Sequence, residues 1–114
     1  MSALTADSAV RKRAPFKLDK FGNPSGVRDW TAATSSPIER VSIQPDTSTE
    51  ETGDRSPVVT GWRLISARGV DVDLLPSDRV VFDGLTLEVD GEVARYRMAG
   101  RVHHVEARLK RVTG

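Results

Sequence analysis

Residues 79–112 read RVVFDGLTLEVDGEVARYRMAGRVHHVEARLKRV, and this stretch carries the clearest indication of secondary structure in the chain. Short apolar runs are separated by Asp-Gly pairs at 83–84 and 90–91. Each pair is typical of a two-residue β-hairpin turn, because Asp and Gly both tolerate positive φ. The Ala-Gly pair at 99–100 marks a further reversal. The stretch therefore predicts a series of antiparallel strands.

Alternation of apolar and polar residues supports this interpretation. In residues 85–89 and 105–110 every second side chain is apolar, which is the period of a half-buried strand. Residues 16–19, 38–44 and 57–66 also have strand character. No segment shows helical apolar spacing at length. We therefore predict an all-β fold, a small antiparallel β-barrel of about six or seven strands, since closure removes exposed edges.

The length of 114 residues predicts a single domain. Residues 1–10 are small and polar and are expected to form a flexible N-terminal arm, so the barrel domain spans residues 11–114. Residues 45–56, PDTSTEETGDRS, contain no large apolar side chain and are expected to form one long loop. Loops of this length are usually functional or disordered.

Composition excludes several classes of protein. The absence of cysteine excludes a disulfide framework, a thiolate metal site and a cysteine nucleophile. The formal charge of +1, from 17 basic and 16 acidic residues, argues against a dedicated nucleic-acid binder or a membrane-surface protein. No apolar run has the length of a membrane span, and residues 1–10 lack the pattern of a secretory signal. We expect a soluble protein.

Candidate catalytic and metal-binding residues fail on geometry. His103 and His104 are neighbours in a predicted strand, so their side chains are expected on opposite faces, where they cannot share a metal. The aspartates of residues 71–78 begin like a calcium loop, but apolar Leu75 and Phe82 stand where oxygen ligands are required. No phosphate loop, Gly-x-Ser-x-Gly or His-Glu-x-x-His motif occurs. We predict no enzyme activity, catalytic residue, metal or cofactor.

Charge is segregated along the chain. Residues 10–20 and 95–114 are mainly basic, whereas residues 45–54 and 71–92 are mainly acidic. Two interpretations stay open: ordinary solvated faces, or opposite patches of identical subunits that meet head to tail and close a ring. The residues expected at such an interface are Arg11, Lys12, Arg13, Asp71, Asp73, Asp78, Arg79, Arg108, Lys110 and Arg111.

Seven short motifs, taken in order and spacing, carry a family resemblance. They are DKFGN at 19–23, V-x-I-x-P at 41–45, VTGW at 59–62, DVD at 71–73, DRV at 78–80, LEVDG at 87–91 and V-x-x-x-LKRV at 105–112. Over about residues 10–114 the sequence resembles the head-to-tail stopper, or head-closure, proteins of long-tailed actinobacterial bacteriophages.

The resemblance implies a small β-barrel that forms a homo-oligomeric ring in the virion neck after assembly in the host cytoplasm. Such a ring closes the head below the portal and adaptor, and it presents a docking surface to the tail terminator or tail tube. Packaged double-stranded DNA would lie in its channel without sequence-specific contacts, and no membrane is involved.

In related connectors a long loop between two early strands enters the channel and helps retain DNA. The resemblance assigns that role here to Asp46, Thr47, Ser48, Thr49, Glu50, Glu51, Thr52, Gly53, Asp54 and Arg55. A ring of such acidic loops would repel DNA phosphates. The alternative interpretation is a disordered external loop.

Two other functions remain open. One is a tail-completion protein at the upper end of the tail. The other is a free-standing small-barrel module for single-stranded nucleic acid, which would need exposed aromatic side chains along a basic groove. Aromatic residues make up 5% of the chain, and Phe16, Trp62 and Phe82 are expected to be partly committed to the core. The nucleic-acid module is therefore the weaker alternative.

Overall fold

The computed structural model describes residues 7–49 and 57–112. Its strands are β1 (Asp7–Arg13), β2 (Phe16–Leu18), β3 (Pro24–Arg28), β4 (Thr34–Thr49), β5 (Pro57–Ser66), β6 (Arg79–Phe82), β7 (Leu85–Val89), β8 (Ala94–Met98) and β9 (Arg101–Arg111). A single 3-10 turn, Trp30–Ala32, is the one helical element in these two ranges. No helix in the described part of the chain is long and apolar enough to cross a membrane.

Six strands close into an antiparallel barrel, in the order β5-β4-β1-β6-β7-β9, with β9 pairing back onto β5. The additional strand β8 pairs with β9, while β2 and β3 form a separate two-stranded sheet. The predicted all-β fold and small barrel are confirmed.

The barrel encloses one apolar core. Val41, Leu64, Val80, Leu87 and Val105 are fully buried, one from each of five barrel strands. Burying a side chain of this size stabilises the fold by about 1.5–3 kcal/mol. The connection between β5 and β6 adds two more members of the same core.

That connection, residues 67–78, contains no strand, yet Val72 and Leu74 are buried with the barrel residues. Arg95 at the start of β8 holds it in place, because its Nη2 atom donates to the carbonyl oxygens of Val72 at 2.8 Å and Leu74 at 3.4 Å.

Two of the three predicted turns are confirmed. Residues 83–84 connect Phe82 to its cross-strand partner Leu85, and both turn residues have positive φ. Residues 99–100 connect the paired residues Met98 and Arg101 in the same way. Positive φ at both central positions is the geometry that matches the twist of a hairpin.

The prediction of a hairpin turn at residues 90–91 is wrong. Both β7 and β8 run antiparallel to β9, with Val89 opposite Leu109 and Ala94 opposite Glu106. Residues 90–93 therefore form a bulge between β7 and β8, which follow each other along the same edge of β9, and the chain does not reverse there. The Asp90 N–H still donates to the Arg108 carbonyl at 2.8 Å. Gly91 has a φ of 88°, which a bulge can use as well as a turn can.

The predicted N-terminal arm, residues 1–10, is wrong for its last four residues. These belong to β1, where Asp7 pairs with Val41 of β4 and Val10 pairs with Val81 of β6. The small residue Ala9 is buried between the neighbouring strands. Residues 1–6 lie outside the described residues.

The predicted long loop, residues 45–56, is wrong over its first five residues. Residues 45–49 continue β4 and pair with β5, from Pro45 opposite Trp62 to Thr49 opposite Pro57. Strand pairing satisfies backbone groups without requiring an apolar side chain, so polar composition did not prevent it. Residues 50–56 lie outside the described residues.

Candidate interaction surfaces

A two-stranded extension leaves the barrel beyond Trp62. Residues 62–65 of β5 pair with both β4 and β9, whereas residues 57–61 pair with β4 alone among the described strands. We name residues 46–49 and 57–61 the β4–β5 ribbon. Val58 and Val59 are each about half exposed, 48% and 49%, as expected for a ribbon with solvent on both faces.

The ribbon contains the described part of the predicted channel-lining segment. Asp46 is partly exposed and Thr47 is exposed, and the Thr60 hydroxyl donates to the Asp46 carbonyl at 3.3 Å. The backbones of Ser48 and Thr49 lie in β4. The rest of the segment, Glu50, Glu51, Thr52, Gly53, Asp54 and Arg55, lies outside the described residues.

Arg13 and Asp78, both predicted at a subunit interface, bind each other within one chain. The Arg13 Nε and Nη2 atoms donate to the two Asp78 carboxylate oxygens at 2.9 and 2.8 Å. Asp78 is 1% exposed and also accepts the Leu75 N–H at 2.8 Å. The hydrogen bond to Asp78, followed by that to Asp73, raises the pKa of Arg13. Within the single chain Asp78 is thus buried and paired, and its place at a subunit interface stays a prediction.

Asp73 extends the same ion-pair cluster toward solvent. It accepts Arg11 Nη1 at 2.9 Å and Arg13 Nη2 at 3.1 Å. The hydrogen bond from Arg13 is the main cause of the lowered pKa of Asp73, and the charges of both arginines lower it further. Asp71 is also engaged, accepting Arg95 Nε at 3.2 Å. These contacts fasten the β5–β6 connection to β1 and β8.

The other predicted interface residues have looser contacts. Arg79 stacks on the Trp30 ring at 4.0 Å, and Lys110 lies 3.7 Å from Glu88 and 4.0 Å from Asp90. Lys12 is partly buried in β1. Arg108 is exposed opposite Arg63 of β5, and Arg111 lies 5.7 Å from the Trp62 ring. The basic residues of β9 remain accessible.

The two histidines meet on one side of β9, so the expectation of opposite faces is wrong. The pairing shifts between Tyr96 opposite His104 and Arg97 opposite Val102, which leaves His103 as an extra residue. The two Nδ1 atoms are 2.9 Å apart, and His104 Nε2 lies 2.7 Å from a Glu106 carboxylate oxygen. Across residues 7–49 and 57–112, no group of three or more His, Cys, Asp or Glu residues could hold a metal ion.

The sequence prediction missed the exposure of the β2–β3 hairpin. Phe16, expected partly in the core, is 42% exposed, while Trp62 and Phe82 do pack against the core. Leu18 and Phe21 are 67% and 76% exposed. The sequence did contain a signal for this exposure, because the lysines at positions 17 and 20 alternate with the apolar residues. A short strand with charged residues on one face and apolar residues on the other needs a partner surface to cover its apolar face.

The hairpin has a well-defined turn. The Asp19 carboxylate accepts the Phe21 and Asn23 N–H groups at 2.8 and 2.9 Å, and Gly22 has a φ of 80°. The Arg28 guanidinium lies 3.8 Å from the centre of the Phe16 ring. Side-chain and backbone contacts therefore order this hairpin locally.

No protein-family model matches this sequence, and a search of curated proteins returns no match.

Proposed function

We propose that the chain is a structural protein of the bacteriophage neck, a head-to-tail stopper that forms a ring below the portal and adaptor and closes the filled head. The observation that carries the proposal is the β4–β5 ribbon. It extends from a small closed barrel at the position where the motif resemblance assigns the channel loop.

The ribbon has the reach for this role. Residues 57–61 form five strand positions beyond the barrel, a length of about 17 Å at about 3.3 Å per residue. Residues 50–56 follow at its outer end in the sequence and contain Glu50, Glu51 and Asp54. When every subunit contributes these acids to one channel, they oppose the passage of DNA phosphates.

The dimensions of the subunit support a role in an assembly. Its radius of gyration is 16.5 Å, and its extents are 53 × 45 × 23 Å. A compact domain of this length has a radius of gyration of about 13 Å. The β2–β3 hairpin and the β4–β5 ribbon project from the barrel and account for this larger radius of gyration. Adjoining subunits in a ring would pack against such projections.

In this role the chain has four kinds of contact. It binds copies of itself, the adaptor or portal on one side, the tail terminator or tail tube on the other, and packaged double-stranded DNA without sequence preference. Its location is the neck of the virion, after assembly in the host cytoplasm. The proposed function requires no catalysis, cofactor or membrane.

Two alternatives make different demands. A tail-completion protein would remain with purified tails, not with tailless filled heads. A module for single-stranded nucleic acid is favoured by Phe21, which is exposed beside Lys20 at 5.2 Å. Binding of single-stranded DNA that is lost on Phe21→Ala would support that alternative.

The experiment is complementation of a phage that lacks this chain. Without the chain, we expect filled heads that carry no tails and lose DNA, and we expect restored particles to carry a tagged copy in the neck. Tagged protein found on free tails, or tailed infectious particles formed without the chain, would contradict the proposed function.

A further inference from the structure

The β2–β3 hairpin lacks a covering surface in the described part of the chain. Its strands pair with each other and with no other described strand. Leu18, Phe21 and Val27 are 67%, 76% and 58% exposed. Isolated two-stranded hairpins are only marginally stable in water, and clustered exposed apolar side chains mark interaction sites. The hairpin is therefore suited to docking on another surface.

The register of β1 places this hairpin at one end of the barrel and a group of acids at the other. β1 ends at Arg13, three residues before the hairpin, and begins at Asp7. Near Asp7 its neighbours are β4, with Ile38 opposite Ala9, and β6, with Val81 opposite Val10. Glu39 follows Ile38 directly, and Asp83 occupies the turn after β6.

The β4–β5 ribbon continues from this same end. Beyond Val41, the partner of Asp7, β4 runs on into the ribbon and its exposed valines. We name this region the distal surface; it comprises Asp7, Glu39, Asp46, Val58, Val59 and Asp83. It combines carboxylates with exposed apolar side chains.

The two regions have opposite charge. The hairpin carries Lys17, Lys20 and Arg28 against Asp19, whose carboxylate already accepts two turn N–H groups. Asp29, which directly follows β3, lies near Lys17 and offsets part of this charge. The distal surface carries four acids, of which Asp7 accepts the Ile43 N–H at 3.0 Å, and its basic neighbours are Arg40, Arg63 and Arg111. Complementary charge favours contact between these regions of two different copies.

We propose that the β2–β3 hairpin of one copy docks on the distal surface of a second copy. Because two different patches meet, the contact repeats from copy to copy, and it closes when the rotation between copies permits a ring. The contact deepens the proposed function by naming the subunit interface, and it rests on that function for the closed ring.

The hollow below the ribbon gives Phe21 a place to dock. It has a volume of about 370 Å³ and is lined by Val59, Thr60, Trp62 and Arg111. Val59 and the Trp62 ring provide apolar contact, and a guanidinium such as that of Arg111 packs favourably on an aromatic face. Phe21 is the most exposed large apolar side chain of the hairpin.

Cysteine cross-linking tests the contact directly, because the chain contains no cysteine. Phe21→Cys and Val59→Cys proteins, assembled together and briefly oxidised, should yield a cross-linked dimer, while neither variant alone should do so. The double variant should give a ladder that ends at the copy number of the ring. Ser77→Cys, exposed on the β5–β6 connection, replaces Val59→Cys as a control that should not cross-link.

Charge reversal supplies a second readout. Lys17→Glu with Lys20→Glu should reduce the assembled fraction at least tenfold in sedimentation velocity, and mixing with the Asp46→Lys and Asp83→Lys protein should restore heterotypic contacts. Reversing exposed Arg68 to Glu is the matched control and should leave assembly unchanged.

Three outcomes would overturn the contact: Phe21→Cys dimers formed alone, no product specific to the mixture, or normal rings from the lysine-reversed protein. Rings that form normally but no longer attach to heads would assign the hairpin to a different protein. In each of these cases the unaltered chain still incorporates into necks if the proposed function holds. Failure of that incorporation is a separate result.

Discussion

Gly61 and Leu109 lie so close across the β5–β9 pairing that a Cβ atom at position 61 would be 2.8 Å from the Leu109 carbonyl oxygen. The obstructing atom belongs to the backbone, so a side chain cannot be accommodated by a rotamer change. Gly61 thus permits β9 to close the barrel at the place where the ribbon departs.

Gly61→Ala should therefore destabilise the chain by about 1–3 kcal/mol, the usual cost of forcing extra atoms into a packed site. Urea denaturation measures the change. Gly26→Ala in β3 is the matched control, since a Cβ atom there meets nothing within 4 Å, and it should change stability by less than about 0.5 kcal/mol. Equal stability of the two variants would contradict the close contact.

Arg13→Ala should be among the most destabilising single substitutions, because it leaves the buried Asp78 carboxylate without its cation. Removing one partner of a buried pair costs about 3–5 kcal/mol. Thermal and urea denaturation should show this loss. Lys110→Ala removes only the long surface contacts to Glu88 and Asp90 and should cost at most about 1 kcal/mol. An Arg13 variant as stable as the Lys110 variant would be inconsistent with the ion pair.

The Asp73 carboxyl should make stability depend on pH in the acid range. Its pKa is lowered below the ordinary value of 3.8 by the hydrogen bond from Arg13. The folded state therefore favours the charged form, and this stabilisation is present above pH 3.8 and is lost as pH falls through the folded pKa. The stability difference between the natural chain and Asp73→Asn should shrink as pH falls below that range. A difference that is constant with pH would show that Asp73 does not contribute through its charge.

Replacement of residues 50–56 by Asn-Gly should preserve the barrel and subunit assembly but cause filled heads to lose DNA before tails attach. The register allows the design, since Thr49 and Pro57 are cross-strand partners and a two-residue turn joins such a pair. DNA retention in isolated heads, measured by nuclease sensitivity, is the readout.

A variant of unchanged length separates charge from bulk. Glu50→Gln, Glu51→Gln and Asp54→Asn together remove the acids while keeping every residue of the segment. Leakage in this variant as well would assign retention to electrostatic repulsion. Heads that keep their DNA after the Asn-Gly replacement would show that residues 50–56 do not retain the genome.

Local chemistry was sufficient to predict the all-β class and two of the hairpin turns. The residues at 83–84 and 99–100 need positive φ whichever strands they join, and their flanking alternation supplies the strands. The pair at 90–91 has the same local preference, but the strands before and after it both pair with β9, along the same edge. Only the register with β9 distinguishes a bulge from a reversal.

Long-range pairing also determines which partners the predicted interface residues have within the chain. The sequence shows basic and acidic segments, but not that Arg13 lies beside Asp78 after a separation of 65 residues. Similarly, the polar composition of residues 45–49 does not reveal that β5 provides a complete set of backbone partners. Contacts between distant segments determined both results, and neither has a local signature.

β9 pairs with both β5 and β7, and it is the last of the described strands to be synthesised. A nascent chain that has not yet released β9 from the ribosome has two open sheet edges, and open edges can capture strands from other chains. Subunits are therefore protected from edge-to-edge aggregation only after this strand has been translated. The order of synthesis therefore leaves both edges open until the last barrel strand is made.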